Sequence, residues 1–445
     1  MKKVYLETFG CQMNVSDSER VATQLAADGY EITRNEAAAD VVLLNTCSVR
    51  EKAEHKLFTR VGQVGKAAAM RGARKPLLGI LGCVAQLEGE TLFGKSPAID
   101  FVIGTKAVGR VSKAIEQSFD GEKYYTDLEN REESYVWSVA ASQRHSPFVA
   151  FVPIIEGCNK FCTYCIVPFS RGRENSLPAS EIVRHVWRLR REGIREVHLI
   201  GQNVNSYRPK TVAGLENYPG ATAFSRLLRA VAATGIERIK FTTSFPRDFH
   251  PDIVEALDEH ENLCNWVHLP VQSGSNRILK TMRRGHTIEN YLERIDKIKA
   301  STRRIALTTD IIVGFPGETE ADFQATLDLA EYCRFNSAYV FKYSPRPGTP
   351  AFALPDDVSA AEKTERFLRL DKLLRFHQQA VFRGYINRTV EVLAEKISEK
   401  HPDQISGHST CQMVVNFAGA SDLLGKIINV KIIESKANTL YGRIF

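Results

Sequence analysis

A chain of 445 residues with 43% hydrophobic and 25% charged positions holds enough apolar material for about three folded domains. No stretch approaches the roughly 18 consecutive apolar residues of a membrane span. Nine cysteines, an odd number, follow a start (Met1-Lys2-Lys3) that runs directly into a strand-like segment rather than a signal peptide; this disfavours a secreted disulfide scaffold, and metal or redox chemistry in a reducing, cytoplasmic compartment is expected. The formal net charge of +7 suits a nucleic-acid partner without requiring one.

Residues 1–119 alternate strand and helix patterns. Val4–Phe9 predicts a strand, and Ser16 predicts a helix cap, with Glu19 closing a capping box and Val21, Leu25 and Ala26 forming the apolar stripe. Val41–Asn45 is a continuous apolar run of the kind buried parallel strands show. A helix over about Arg50–Arg71, a third strand at Leu77–Leu81, a fourth at Asp100–Ile103 and a helix at Val108–Phe119 complete a doubly wound parallel α/β pattern. Cys11, Cys47 and Cys83 each stand just past the carboxyl end of a predicted strand, 36 residues apart both times. In open α/β sheets the ligand crevice lies outside those strand ends, so three distant thiols are expected to converge there on a second metal cluster. Gly89–Ser96 matches the phosphate-loop pattern, but the third strand has already ended near Leu81 and Pro97 disfavours helix after it. Such a motif needs strand, loop and helix in direct succession, and no nucleotide site is expected here. Residues 120–143, charged and without a sustained period, predict a linker.

Residues 144–376 form a longer β/α alternation. Strands are expected at Val149–Ile155, Glu196–Ile200, Arg238–Thr243, Asn265–Leu269, Ala306–Val313 and Ala338–Tyr343, with the first helix starting at Pro178 and a long loop over Asn205–Thr222. Arg184, Arg188, Arg190, Arg191 and Arg195 crowd one helix and its end, and are read as a solvated face. After the first strand come Cys158, Cys162 and Cys165, spaced C-x3-C-x2-C. A structural zinc site takes four ligands, and no fourth Cys or His follows nearby. Three thiolates on a four-iron cluster leave one iron with a vacant position, which can bind a substrate rather than only pass electrons. The same missing ligand disfavours an electron-transfer protein and a zinc-containing RNA-binding protein. A closing helix is expected from Ser359 to about Phe382. The segment 377–445 turns to short alternating runs at Thr389–Ala394, Gln412–Phe417, Gly425–Ile433 and Leu440–Ile444, with Asn416, Gly419 and Gly442 as turn residues; this predicts a small all-β barrel.

The three-cysteine loop, with Tyr164 just before the last cysteine, resembles the signature of the radical S-adenosylmethionine enzymes. The six β/α units, too few for an eightfold barrel, suit the partial (β/α)6 barrel of that superfamily, and the last segment resembles the TRAM domain, an OB-like RNA-binding module. The whole chain is similar to the methylthiotransferases. Thr8–Asn14, Asn45–Arg50, Gly82–Gln86, Phe161–Asn175 and Tyr343–Pro350 carry the resemblance to the branch that acts on N6-isopentenyladenosine in tRNA. The branches acting on threonylcarbamoyladenosine or on ribosomal protein S12 are the alternatives.

That resemblance implies two [4Fe-4S] clusters. Cys158, Cys162 and Cys165 would hold the catalytic one, which cleaves S-adenosyl-L-methionine to a 5′-deoxyadenosyl radical. Cys11, Cys47 and Cys83 would hold the second, which carries the inserted sulfur; a further S-adenosyl-L-methionine would donate the methyl group. Tyr164, Gly201, Gln202, Asn203, Gln272, Ser273, Asp310 and Gly314 are the implied cofactor contacts, although Gly201-Gln202-Asn203 departs from the family's usual Gly-Gly-Glu. The implied product is 2-methylthio-N6-isopentenyladenosine at position 37, beside the anticodon. The implied partners are the tRNA anticodon loop, an electron donor and a sulfur source, with no membrane, and the protein is expected to be a monomer.

Overall fold

The computed structural model describes residues 1–48, 51–70, 75–129, 139–399 and 401–444. Val49, Arg50 and Arg71, and most of the charged run expected in the linker, lie outside the described residues. Two compact units are present. One comprises residues 1–146 with 156–159 and 165–174, the other 147–155, 160–164 and 175–445.

The first unit is a six-stranded parallel sheet in the order β2-β1-β3-β4-β5-β6. Its strands are β1 (Lys3–Phe9), β2 (Glu31–Thr33), β3 (Val41–Thr46), β4 (Leu77–Gly82), β5 (Phe101–Ile103) and β6 (Tyr125–Asp127). The helices are α1 (Gln12–Ala27), α2 (Glu51–Met70), α3 (Cys83–Glu88), α4 (Thr91–Lys95), α5 (Val111–Phe119) and α6 (Val167–Arg171). Because side chains alternate along a strand, successive residues serve opposite faces. Val4, Leu43, Leu81 and Phe101 pack with Val21 and Leu25 of α1 and Ala114 and Ile115 of α5. Val42, Leu44, Ile80 and Val102 pack with Leu57 and Val61 of α2 and with Leu92 of α4. This is the expected doubly wound sheet, with two additional short strands. Tyr125–Asp127, within the stretch expected as linker, pairs with β5 as the sixth strand.

Helix α1 starts a turn earlier than its sequence predicts. Ser16 is buried inside it, and Ala26 is exposed while Ala22 takes its place in the core. The capping box belongs instead to Cys11 and Asn14, because the chain turns directly from β1 into the helix. The phosphate-loop lookalike opens on a turn at Gly89, lies mostly within α4 and is separated from β4 by α3, so the strand–loop–helix succession is absent.

In the second unit six consecutive parallel strands form two three-stranded sheets. The sets are β11-β10-β7 and β12-β13-β14, which approach each other through the bridge Ile239–Leu263. The ranges are β7 (Val149–Pro153), β10 (Glu196–Ile200), β11 (Arg238–Phe241), β12 (Trp266–His268), β13 (Ala306–Val313) and β14 (Ser337–Lys342), with the short β8 (Ile155–Glu156) and β9 (Asn175–Ser176) near the cysteine loop in sequence. Helices α7 (Ala179–Arg191), α8 (Ala223–Ala232), α9 (Pro251–Glu259), α10 (Asn276–Thr281), α11 (Ile288–Lys299) and α12 (Glu320–Cys333) alternate with the strands, giving the partial barrel. Pro178 is the cap of α7 rather than its first residue. Arg184, Arg190 and Arg191 are exposed, as a solvated face requires, and Arg188 and Arg195 pair with Glu192 and Glu237.

Helix α13 (Ala360–Arg383), capped by Ser359 and Glu362, runs past residue 377 before the last module begins. That module is a closed barrel of β15 (Thr389–Ile397), β16 (Gln404–Ser409), β17 (Val414–Ala418), β18 (Ile427–Ser435) and β19 (Leu440–Arg443), in the order β15-β16-β17-β19-β18. Asn416 and Gly442 lie inside strands rather than in turns. At Gly442 a Cβ would stand 2.3 Å from Val430 Cγ1, so the barrel's close wall requires glycine there. Among the described residues no helix is long and apolar enough to cross a membrane.

Candidate functional site: two sets of thiols at strand ends

Strands β1, β3 and β4 are direct neighbours, and their register pairs Phe9 with Thr46 and Thr46 with Gly82. The three chains therefore leave the sheet at one level, about 4.8 Å from strand to strand. Cys47 and Cys83 follow at once, and Cys11 follows two residues after β1. The site falls where the strand order reverses, between β1 and β3, the expected position for a crevice in such a sheet.

A buried amide network holds these exits. Asn14 Nδ2 donates to Asn45 Oδ1 at 3.1 Å, and Asn45 Nδ2 donates to the Asn14 carbonyl and to Ser18 Oγ, both at 2.9 Å. Cys11 donates through Sγ to Asn14 Oδ1 at 3.3 Å. A hydrogen bond with Cys47, assisted by the nearby Arg171 guanidinium, outweighs desolvation and lowers the Cys11 thiol to about 6. A thiolate is the form that binds metal, so this donor set fits an iron–sulfur group. Among the described residues no three His, Cys, Asp or Glu side chains are gathered in a geometry for a single ion.

Arg171, at the end of α6, belongs to this same unit and is only 4% exposed. Its Nη2 lies 2.7 Å from Asp17 Oδ2, and its Nε donates to Cys83 Sγ at 3.3 Å. Nearby, Arg20 lies 3.8 Å from Asp17 and 3.7 Å from Glu156, and Lys106 lies 2.9 Å from Glu156.

The other three cysteines share the loop after β8. Cys158 is buried, and its amide donates to the Gly172 carbonyl at 3.1 Å. Gly157 precedes it at φ +77°, where a Cβ would lie 2.2 Å from the Arg173 carbonyl oxygen; only glycine fits. Cys162 is buried and receives Arg284 Nη1 at 3.5 Å. Arg284 also donates to Tyr164 Oη at 3.4 Å and to the Pro270 carbonyl at 2.6 Å. Thr163 is clamped through its amide to Met282 O, through its hydroxyl to Thr281 O, and through its carbonyl to the Ala351 amide. Tyr164 stands edge-on to Phe315, and Cys165 is half-buried. Lys160 pairs with Asp248 at 2.5 Å. Against a desolvation that would raise it, hydrogen bonds from Lys160 and Ser206 hold the Asp248 carboxyl down to about 2.

The residues implied as cofactor contacts lie at the carboxyl ends of the barrel strands or just inside them. Gly201 follows β10, packed so closely on Ile155 that a Cβ would meet its Cγ2 at 2.3 Å. Gln202 Oε1 is enclosed and has no hydrogen-bond partner among the described residues, an acceptor available to a ligand. Asn203 is buried. Gln272 adopts φ +79° and bridges to Ile311, while Ser273 is fully buried with its hydroxyl taken by the Ser275 amide. Gly314, at φ +68°, donates its amide to Glu318 Oε2 at 2.7 Å, and Arg366 pairs with that carboxylate at 2.9 Å. Asp310 faces His268 Nε2 at 3.5 Å on the sheet itself, ahead of the turn.

The register of β12, β13 and β14 puts Trp266, His268, Thr308, Asp310, Ile312, Tyr339 and Phe341 on one face. The opposite face, with Val267, Ile311 and Val313, is buried. A parallel sheet normally buries both faces. Here Tyr339 is 57% and Phe341 38% exposed, His268 stacks on Trp266 at 5.8 Å, and Tyr339 meets His268 edge-on at 6.4 Å. Sequence reasoning did not single out this aromatic face, nor Arg171 and Arg284 individually. The alternation in Ser337–Phe341 was the available signal for the first; a buried arginine leaves none.

Comparison with known proteins agrees with this division. The Radical SAM superfamily model matches residues 152–330, the model described as uncharacterized protein family UPF0004 matches residues 3–104, and the TRAM domain model matches residues 383–445. The chain is 42% identical over 446 residues to the tRNA-2-methylthio-N(6)-dimethylallyladenosine synthase of Magnetococcus marinus, covering 100% of both chains. It is 42% identical to the enzyme of that name from Geobacter metallireducens, covering 100% of this chain and 98% of the relative. Among solved structures it is similar in fold to the radical S-adenosylmethionine methyltransferase TsrM from Kitasatospora setae. There the TM-score is 0.56 at 15% identity, over 79% of this chain and 77% of the other. From these full-length likenesses, the chain belongs to the tRNA-2-methylthio-N(6)-dimethylallyladenosine synthase family.

Proposed function

We propose that this protein converts N6-isopentenyladenosine at position 37 of tRNA to its 2-methylthio derivative, using two [4Fe-4S] clusters and S-adenosyl-L-methionine. The observation that carries the reading is the placement of six cysteines as two sets of three, each at strand carboxyl ends in its own motif. Adenine C2–H has no acidity that a side chain could exploit, so acid–base catalysis offers no route. Bound iron–sulfur clusters and S-adenosyl-L-methionine supply the one-electron chemistry and the sulfur and methyl groups that such a carbon requires.

The chain's own residues bind, orient and enclose. Cys158, Cys162 and Cys165 hold one cluster, and Arg284 fixes the loop through Cys162, Tyr164 and Pro270. Tyr164, Gly201, Gln202, Asn203, Gln272, Ser273, Asp310 and Gly314 form the S-adenosyl-L-methionine site; the partnerless Gln202 Oε1 supports the assignment of a polar ligand group there. Cys11, Cys47 and Cys83 hold the second cluster as thiolates, which the lowered Cys11 thiol favours. Tyr339 and Phe341, exposed beside the half-buried His268, offer stacking surface to a base splayed out of the anticodon loop. The TRAM barrel supplies phosphate contacts to the tRNA. An electron donor and a sulfur source complete the reaction, and the protein acts as a monomer.

Iron analysis tests the reading. Anaerobically reconstituted protein should carry about eight irons, and alanine at either cysteine triplet should leave about four. Stoichiometric zinc in place of iron would refute it.

A further inference from the structure

Arg171 lies outside the cysteine motifs, yet it donates to Cys83 and its charge acts on Cys11. Its guanidinium spans Asp17 Oδ2 at 2.7 Å and Cys83 Sγ at 3.3 Å, with Arg171 4% and Asp17 2% exposed. Its segment is pinned on both sides: Thr105 Oγ1 donates to the Ser170 carbonyl at 2.7 Å, and the Cys158 amide donates to the Gly172 carbonyl. Ion pairs around it join Arg171 and Arg20 to Asp17, and Arg20 and Lys106 to Glu156. The guanidinium of Arg171 is the cation in contact with Cys83. A fixed cation in a desolvated setting stabilises whichever state of a neighbouring group carries more negative charge. A planar guanidinium can also serve a carboxylate and a sulfur at once through separate N–H groups, which an ammonium does less rigidly.

We infer that Arg171 is a positioning residue for the iron–sulfur group of Cys11, Cys47 and Cys83, holding Cys83 and raising the reduction potential of that group, while Asp17 partly offsets it. This rests on the assignment of those cysteines as ligands. Its discriminating consequence is one of sign. Arg171→Gln removes a positive charge and should move the potential to more negative values. Asp17→Asn removes the opposing negative charge and should move it to more positive values. A scaffold role alone would disturb both variants in the same sense.

The experiment uses the full chain with alanine at Cys158, Cys162 and Cys165, so that only the N-terminal group titrates. Parent, Arg171→Lys, Arg171→Gln and Asp17→Asn are reconstituted anaerobically, assayed for iron, and titrated by dye-mediated potentiometry with electron paramagnetic resonance. The expected result is about four irons in the parent and in Arg171→Lys, a near-parental potential for the lysine variant, and opposite shifts for the other two. Unmoved potentials, shifts of one sign, or loss of iron from Arg171→Lys and Arg171→Gln alike would overturn the proposal. A parent without iron would refute the ligand assignment itself, and the proposal with it.

Discussion

Arg238 is among the largest fully buried side chains, 1% exposed, and it ties the partial barrel to the terminal β-barrel. Its Nε lies 2.8 Å from Glu196 Oε2, and its two terminal nitrogens donate to the carbonyls of His408 and Ser409 at 2.9 and 2.8 Å. Arg238→Met preserves much of the volume but strands a carboxylate that is fully buried and still hydrogen-bonded to His198. Removing one partner of a buried ion pair costs about 3–5 kcal/mol, and the two carbonyls lose their donors as well, so a loss of about 4 kcal/mol is expected at pH 7. Arg238→Met combined with Glu196→Leu removes the stranded charge and should recover part of that loss. Urea unfolding followed by far-ultraviolet circular dichroism measures both. The pH dependence adds a signature. In the parent, against desolvation, Arg238 and His198 hold the Glu196 carboxyl below its ordinary value of 4.5, so its contribution is present above that pH and lost below it. In Arg238→Met the folded value rises above the unfolded one, so the deficit should shrink as pH falls from 7 towards 5. A cost under about 1 kcal/mol, or a double variant no more stable than the single one, would refute the reasoning.

Alanine at Tyr339 and Phe341 should raise KM for isopentenylated tRNA by on the order of 10-fold, since base stacking is worth about 1–3 kcal/mol. S-adenosyl-L-methionine cleavage measured without tRNA should stay near parental; an unchanged KM would remove these rings from recognition. His286 is buried, and desolvation with the neighbouring Arg284, Arg294 and Arg247 lowers its imidazole to about 4. Its folded value lies below the unfolded one, so it contributes stability above about pH 6.5 that is lost as pH falls towards 4, up to about 3 kcal/mol. His286→Phe should flatten the urea stability profile across that window, and parallel profiles would contradict it.

The sequence made the sheet legible where burial is continuous. Val41–Thr46 is buried at every position, and a six-residue run that begins with two β-branched valines fits a central parallel strand. Once such strands are placed, the cysteines after them fall at the carboxyl end of the sheet. The short strands Glu31–Thr33, Tyr125–Asp127 and Gln404–Ser409 escaped, because the first two are edge strands of three residues and the third is largely polar in sequence. Ser16 and Glu19 imitate a helix start, but Cys11 and Asn14 cap one turn earlier because β1 ends at Phe9. Arg171, Arg238 and Arg284 were illegible as buried groups for a common reason. A charged side chain is buried only when distant partners compensate it, and neither propensity nor period records those partners.

The most direct test is nucleoside analysis of the products. Reconstituted protein, given isopentenylated tRNA, S-adenosyl-L-methionine and a strong reductant, should form 2-methylthio-N6-isopentenyladenosine. Alanine at Cys11, Cys47 and Cys83, in protein shown to be folded, should still release 5′-deoxyadenosine yet form no methylthio product. Alanine at Cys158, Cys162 and Cys165 should abolish both. Methylthiolated tRNA from the folded Cys11, Cys47 and Cys83 variant would contradict the account.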